Sequence, residues 1–530
     1  MDQENLLDQS DNCVNIKVVK NDSDLANALN VDENSSHLLE AVGGYGRYQL
    51  MIHLIAMVAL TGEILQVMSV VFTGLSSPLN IIANNTNLSV EDPCDVSSTQ
   101  RRYAQPRSFS FVVEFDLSCG RAWLVQMVTS AFFAGSMIGN LVFGWTSDNY
   151  GRRKTLLYIY VTFLLVGCCT SLSNNVWQLI ALRFISGVFT APVQQLVASI
   201  LSEMVSPGLR SQIVVTSYLL WPMALSMLSL TAYFIPNWKL INLIVTGPYL
   251  LVLPVLVLLP EPLAWLITKG RILDAKKLLH TIGFWNKRLL APDVDIQSPK
   301  QDSYERTTNF LDLFGTKELA MTTIIMGVSF FSITASFYGL LMSSGDLSKG
   351  SSVYLNFFYS TIVEFPAYIV TCCALGKFGR KITNILGMSI GCISCCLLCF
   401  IPDDNALSSV RLSIGVFGRC FVTITFMSIV PWTIELYPTA IRSQAVGFGL
   451  SMGRFSTIMS PWIMSQIKQF HSAASWAYLA IILLVGSTLM TLLPDTKSQP
   501  PNDNCNDDFR DNYDDNSYER LEVVEVVSIV

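Results

Sequence analysis

Through most of the chain, long apolar runs alternate with short polar links, beginning near Tyr48 and ending near Leu493. The first run is about 48–75, and the next five are about 122–147, 155–173, 176–203, 211–235 and 240–260. Six more follow at about 318–343, 353–374, 382–401, 409–434, 444–468 and 475–493. A helix rises about 1.5 Å per residue, so apolar runs of about 18 or more residues cross the hydrocarbon core of a bilayer. The pattern predicts an all-α membrane protein with twelve spans, whose even number returns both termini to one side.

The links divide the chain further. Residues 1–47 are polar and acidic, with no basic start leading into an apolar run, and read as a disordered tail rather than a signal peptide. Residues 76–120 form a polar loop holding the sequons Asn84-Asn85-Thr86 and Asn87-Leu88-Ser89. Glycan acceptors require lumenal exposure, which predicts that this loop faces outside and that Asn84 and Asn87 carry glycans. The central loop 261–317 contains Ile272-Leu273-Asp274-Ala275-Lys276-Lys277-Leu278-Leu279, whose amphipathic period predicts a helix lying on the cytoplasmic face. Halves of six spans each, 48–260 and 318–493, flank that loop, and residues 494–530 form an acidic polar tail.

Composition agrees with a membrane and changes little else. The chain is 51% hydrophobic and only 14% charged over 530 residues, too few charges to clothe a soluble protein of this size. Its net charge of −6 says nothing in favour of nucleic acid, because the acids gather in the tails and the bases in the loops. Most of the 13 cysteines lie inside apolar runs, which excludes a secreted disulfide scaffold. Only Cys94 and Cys119 fall in the outer loop, and one bridge between them is the economical assignment. The run Cys392 to Cys399 places its cysteines along one helix face as small packing residues, so no metal site is expected.

The most informative link is the hairpin Gly144-Trp145-Thr146-Ser147-Asp148-Asn149-Tyr150-Gly151-Arg152-Arg153-Lys154. Three cations on so short a loop select the cytoplasmic side, by the positive-inside bias. Glycines at its ends allow close approach and a turn, and Asp148 is placed to cap a helix or pair with a guanidinium. The hairpin resembles the loop between the second and third helices of the major facilitator superfamily, G-x-x-x-D-x-x-G-R-[RK]. Gly144, Asp148, Gly151, Arg152 and Arg153 occupy its fixed positions, and the resemblance implies a role for them in gating.

The two halves echo one another. Glu203 and Arg210 flank Pro207, and 232 positions on Glu435 and Arg442 flank Pro438; Gly151-Arg152-Arg153 returns 228 positions on as Gly379-Arg380-Lys381, and Pro260-Glu261 returns 234 positions on as Pro494-Asp495. Nearly constant offsets predict two six-helix pseudo-repeats related by an axis along the membrane normal, with a substrate cavity between them near the midplane. Glu203, Arg210, Glu435 and Arg442 join the hairpin residues as gating candidates. In the second hairpin Gly376 replaces Asp148, so any latch is asymmetric.

A narrower resemblance rests on Phe115-Asp116-Leu117-Ser118-Cys119, on Pro260-Glu261-Pro262-Leu263-Ala264-Trp265-Leu266-Ile267-Thr268-Lys269-Gly270-Arg271, and on Glu435-Leu436-Tyr437-Pro438-Thr439-Ala440-Ile441-Arg442. Tyr338-Gly339-Leu340, Gly345-Asp346-Leu347 and Glu364-Phe365-Pro366-Ala367 add to it. These stretches are similar to the organic cation, organic anion and carnitine branch of the solute carriers, over roughly residues 48–497. Members of that branch tend to carry arginine at the Arg454 position when they take anions or carnitine, and an acid when they take cations. The Glu364 motif, with Tyr368, resembles the cation and carnitine versions.

Charges inside spans cost at least about 2.5 kcal/mol at the bilayer centre. Glu364 and Arg454 each lie well inside their spans and read either as opposite charges lining the cavity or as a buried pair; Glu364 could equally be committed to Arg419. Glu63 in the first span reads as a cation or proton site or as a buried polar contact, and Arg183 and Arg419 read as structural pairing residues, with direct substrate contact as the alternative. Trp221, Phe337, Tyr338 and Tyr359 are candidate cavity aromatics, since ring faces attract quaternary ammonium groups.

Enzyme chemistry finds no support. Gly449-Leu450-Ser451-Met452-Gly453 matches a nucleophile elbow but lies in a membrane run, and the four histidines are scattered. No phosphate-binding loop or cofactor motif occurs, so transport is expected to run on ion or solute gradients. The expected function is alternating-access transport of organic cations or carnitine-like zwitterions across the plasma membrane, with both termini cytoplasmic. Alternatives are an organic anion exchanger and a non-transporting sensor or adaptor. Expected partners are a small organic ion, membrane lipid, a coupling Na+ or H+, and a PDZ domain at the C-terminal Ser528-Ile529-Val530; nucleic acid is not expected.

Overall fold

The computed structural model describes residues 37–81, 94, 101–288, 310–343, 352–402, 405–437, 441–470 and 473–495. Asn84, Asn87, Pro438 and Ser528–Val530 lie outside the described residues, as does the side chain of Arg442. The first four spans are the helices α1 (Arg47–Thr73), α2 (Trp123–Tyr150), α3 (Arg152–Thr170) and α4 (Val176–Glu203). The fifth is α5 (Pro207–Ser217) with α6 (Leu220–Phe234), and the sixth begins as α7 (Trp238–Thr246). Short helices α8 (Leu263–Thr268) and α9 (Ile272–Asn286) follow in the central loop. The second half comprises α10 (Lys317–Met342), α11 (Val353–Ile362), α12 (Glu364–Lys377), α13 (Arg380–Phe400), α14 (Ser408–Leu436), α15 (Arg442–Phe470) and α16 (Ala474–Met490). Among the described residues nine helical stretches are long and apolar enough to cross a membrane, and α16 is a shorter apolar helix.

Prolines decide where the expected continuous spans break. Pro222 has no amide hydrogen for the Tyr218 carbonyl, which instead accepts from the Trp221 amide at 2.9 Å as the fifth span tightens between α5 and α6. Pro366 stands in the same relation to Ile362, where α11 gives way to α12. The sixth span carries Pro248 and Pro254, and after α7 it continues only as a 3-10 turn (Gly247–Leu251) and one helical turn (Leu253–Leu256).

Backbone contact fixes how α2 packs on α4. A Cβ placed on Gly135 would meet the Phe184 carbonyl, on Gly139 the Val188 carbonyl, and on Gly187 the Phe132 carbonyl. Helices this close gain dispersion contacts in a medium where burying apolar surface offers little, because lipid tails are equally apolar.

Each face of the molecule has its own clasp. On the loop side, β1 (Leu79–Ile81) pairs antiparallel with β2 (Arg101–Tyr103), with Leu79 opposite Tyr103, and Cys94 is disulfide-bonded to Cys119 at a Cα separation of 5.6 Å. Phe111, Val112 and Leu117 pack against Leu124, Leu179 and Trp238, while Glu114 accepts from the Trp238 indole at 2.6 Å and pairs with Lys239 at 2.6 Å. On the opposite, hairpin side, Leu278, Leu279 and Ile282 of α9 bury against the foot of α1. There Asn286 donates to the Val42 carbonyl and accepts from the Tyr48 amide.

The two halves are tied together on the loop side. Gln126 donates to Ser465 at 3.1 Å, Trp462 to Ser130 at 2.7 Å, Ser130 to the Ile458 carbonyl at 2.9 Å, and Ser229 to the Tyr354 carbonyl at 2.6 Å. Phe72 stacks on Tyr354 across the same seam.

Gly139→Leu is expected to force α2 from α4 and cost about 1–3 kcal/mol or more through overpacking. A lowered unfolding temperature of the detergent-purified protein checks this; an unchanged one would show that the two backbones can separate freely.

Candidate functional site

Pro366 weakens the eighth span at the turn that presents Glu364. That carboxylate is fully buried and forms an ion pair with Arg419 of α14. The Arg419 guanidinium also donates to the Ser360 carbonyl at 3.2 Å and the Phe337 carbonyl at 3.1 Å. It lies 4.9 Å from the centroid of the Phe337 ring, which itself stacks on Phe426 at 4.4 Å. Glu364 and Phe337 are therefore committed inside the second half, and the expectation that they line a shared cavity is corrected. A guanidinium offers five donors, and only a buried partner with a negative charge offsets its desolvation.

The first half repeats this arrangement without the acid. Arg183 of α4, 236 positions before Arg419, is 1% exposed. It donates to the Gln66 carbonyl at 3.2 Å and to Ser69 Oγ at 3.1 Å, and makes no ion pair among the described residues. In both halves the buried arginine thus holds a carbonyl of that half's first span, at Gln66 and at Phe337.

Between the halves the geometry differs. Arg454 of α15 reaches across to α4 and donates to Gln194 Oε1 at 3.1 Å, and Gln194 Nε2 donates to the Tyr218 hydroxyl at 3.1 Å. No ion pair of Arg454 occurs among the described residues. Glu63 of α1 and the phenols of Tyr218 and Tyr338 lie within its electrostatic reach, and the Tyr338 hydroxyl is a further hydrogen-bond partner. Tyr338 also stands edge-on to Phe133 of the first half, at 5.4 Å between centroids. Trp221 is buried edge-on to Tyr218 at 5.8 Å.

Toward the loop side, Tyr338 forms part of the wall of a cavity of about 470 Å³, lined also by Val70, Gln126, Thr129, Thr457 and Lys468. Arg454 lies one helical turn from Thr457, on the hairpin side of it. Tyr359 is elsewhere. It is 48% exposed on a stripe with Leu355, Ile362 and Ile369, the face that lipid would wet, so its expected place in the cavity is corrected by the helical phase of α11.

The hairpin is a charge cluster. Arg152 pairs with Asp148 at 3.2 Å and with Glu203 at 2.6 Å. Gly151, at φ +115°, turns the chain into α3, and a Cβ there would collide with Glu261. Glu261 accepts from the Arg153 amide at 3.1 Å and the Lys154 amide at 3.4 Å, so a carboxylate from beyond the sixth span satisfies the open N-terminus of α3. The Arg153 side chain donates to the Val257 carbonyl, and the Trp265 indole to the Asp148 carbonyl at 3.0 Å. Gly144 faces Gln195. The second half mirrors part of this: Gly379 turns at φ +83° and Arg380 pairs with Glu435 at 2.8 Å. Arg210 stands partly buried at the start of α5.

Sequence reasoning attached no role to Gln194, Tyr218 or Glu261. The repeat marks Pro260-Glu261 without a partner for it; Gln194 and Tyr218 are polar positions in apolar runs, and that is their signal.

A family model described as sugar (and other) transporter matches residues 55–502. The chain is 30% identical over 415 residues to solute carrier family 22 member 13 of Homo sapiens, covering 78% of this chain and 74% of that protein. It is 28% identical over 423 residues to solute carrier family 22 member 2 of Rattus norvegicus, covering 80% and 75%. It is also 26% identical over 494 residues to organic cation/carnitine transporter 4 of Arabidopsis thaliana, covering 91% of each. Among solved structures, the major facilitator proton:xylose symporter XylE, bound to 6-bromo-6-deoxy-D-glucose, aligns with a TM-score of 0.60 at 18% identity, over 86% of this chain and 98% of that chain. That likeness carries the fold.

Glu364→Gln is expected to act on stability before selectivity, because it strands a buried guanidinium; removing one partner of such a pair costs about 3–5 kcal/mol. A large drop in unfolding temperature, with the ranking of transported substrates preserved, is the expected result. A changed ranking at unchanged stability would return Glu364 to the cavity.

Proposed function

The chain belongs to the sugar (and other) transporter family and, within it, to solute carrier family 22, and from that premise we propose that it carries carnitine-like zwitterions and organic cations by alternating access. It is a multi-pass membrane transporter with the major facilitator fold, and not an enzyme. The observation that carries the substrate reading is Arg454. It is the guanidinium between the halves, held by the neutral Gln194 rather than by a carboxylate, and so keeps its charge available for a substrate carboxylate. A planar fork of donors suits that group. The name of the Arabidopsis relative, organic cation/carnitine transporter 4, supports the same class.

Rocking of one half against the other would open the loop-side ties and expose Arg454 alternately to either face. The Asp148–Arg152–Glu203 cluster and its partial mirror Arg380–Glu435 lie where the hairpin-side gate would close. In this reading Gly144, Gly151, Arg153, Arg210 and Arg442 belong to that gate, the hairpin and both termini are cytoplasmic, and a Na+ or H+ gradient drives uptake across the plasma membrane.

A second reading, an organic anion exchanger, is favoured by the Glu364–Arg419 pair, which leaves Arg454 without that acid as a neighbour. Uptake by cells expressing the chain separates the two. The probes are tetraethylammonium, carnitine and benzoate, with and without sodium and at two membrane potentials. Carnitine or cation uptake supports the proposal, and benzoate uptake alone supports the exchanger.

Arg454→Ala is expected to lower uptake of carboxylate-bearing probes by roughly tenfold or more, the equivalent of at least about 1.4 kcal/mol, and of tetraethylammonium much less. Equal losses at normal surface expression would make Arg454 a structural residue. Asp148→Asn is expected to slow turnover while leaving carnitine binding to purified protein within about threefold, since a gate residue acts on the conformational step. A large loss of binding would contradict gating.

A further inference from the structure

Among the described residues, Glu63 is an acid inside a span for which the packing supplies neither an ion pair nor a hydrogen-bond partner at Oε2. Glu364 is answered by the charge of Arg419 through one of its oxygens, and Arg183 is held by Gln66 and Ser69. On α1, one turn from Glu63, Gln66 already meets the polar needs of this stretch: it donates to Ser186 and accepts from Thr246 at 3.3 Å. Glu63 is 2% exposed, and its Oε2 has no hydrogen-bond partner among the described residues. No ion pair of Glu63 within 4 Å occurs among them either. A carboxylate in that position is expensive, and packing alone gives no reason for it.

Its surroundings point to a ligand. Across the seam, Arg454 of the other half is joined through Gln194 to Tyr218, and Glu63, Tyr218 and Tyr338 lie within its electrostatic reach. Arg454 is steadied by a hydrogen bond to Gln194 and by the Tyr338 hydroxyl, and a guanidinium with five donors keeps others of its fork for a further acceptor. The Trp221 and Tyr218 rings, edge-on to one another, belong to the first half, and Tyr338, which stands edge-on to Phe133, to the second. Aromatic walls with a carboxylate suit an ammonium, and a guanidinium suits a carboxylate.

We propose that Glu63 is the cation anchor of a two-sign site completed by Arg454, which takes a zwitterion with its ammonium on the first half and its carboxylate on the second. This assignment rests on the transport reading above. A zwitterion satisfies both buried charges, whereas a simple cation leaves Arg454 unanswered and a simple anion leaves Glu63 unanswered. Because the two anchors ride on different halves, the bound zwitterion also links them, and its affinity differs between conformations that bring the anchors nearer or farther. A ligand shifts a conformational equilibrium only through such a difference.

The test measures carnitine, tetraethylammonium and benzoate uptake by the full chain and by Glu63→Gln and Glu63→Asp, each normalised to surface protein. In Glu63→Gln the carnitine-to-benzoate ratio should fall by roughly tenfold or more, and Glu63→Asp, which keeps the charge, should recover most of it. For a variant that fails to reach the surface, carnitine-induced thermal stabilisation of the detergent-purified protein replaces uptake, and its loss in Glu63→Gln with retention in Glu63→Asp is the supporting result. An unchanged ratio overturns the assignment, as does equal loss of all three substrates. A ratio that stays constant while only the pH dependence of uptake moves also overturns it, in favour of a proton site. If the unaltered chain transports benzoate alone or none of the three, the proposed function falls and this assignment with it; carnitine uptake with an indifferent Glu63→Gln leaves that function standing and removes only the anchor.

Discussion

An ion inside a bilayer has no water to turn to, and that constraint organises the interior of this protein. Where a guanidinium is buried, backbone carbonyls and, in one half, a carboxylate gather round it: Arg419 holds Glu364, Ser360 and Phe337, while Arg183 holds Gln66 and Ser69. These arrangements join the tenth span to the seventh and eighth, and the fourth to the first. A buried pair adds little net stability over an apolar core, but losing one member is costly, so it specifies which helices must be neighbours.

The same constraint separates structural charge from working charge. Glu364 is consumed by packing, although its place in a span made it a natural cavity residue. Arg454 makes no ion pair among the described residues and is joined across the seam through Gln194 to Tyr218, while Glu63 Oε2 has no hydrogen-bond partner among them.

Outside the bilayer core, the opposite ends of the molecule are held differently. On the hairpin side, Glu261 closes the exposed amides at the start of α3, and Arg152 bridges Asp148 to Glu203. Within that bridge only Asp148 is open to solvent; Arg152 and Glu203 are largely covered. On the loop side, the ties between halves are neutral hydrogen bonds and stacked rings, whereas the disulfide-bonded loop packs on the first half around Trp238.

The family, the helical membrane fold and its division into repeats were legible in the sequence, because hydropathy and motif spacing are local or periodic properties. Gly151 and Asp148 announce a turn and a charge, and Gly135 and Gly139 a close helix contact, whereas the breaks at Pro222 and Pro366 interrupt spans that the hydropathy reads as continuous. Which charge meets which is not local. That Glu364 faces Arg419, 55 positions away, rather than Arg454 follows from the rotation of α12 and α14 about their axes. That Tyr359 faces outward while Tyr338 faces the seam depends on a helical phase that an apolar run, rich in residues suited to either side, does not encode. Glu63 stands out in the sequence as an acid inside the first span; that the polar groups of its neighbour Gln66 are engaged, and that Arg454 of the other half lies within its electrostatic reach, depends on how the helices pack.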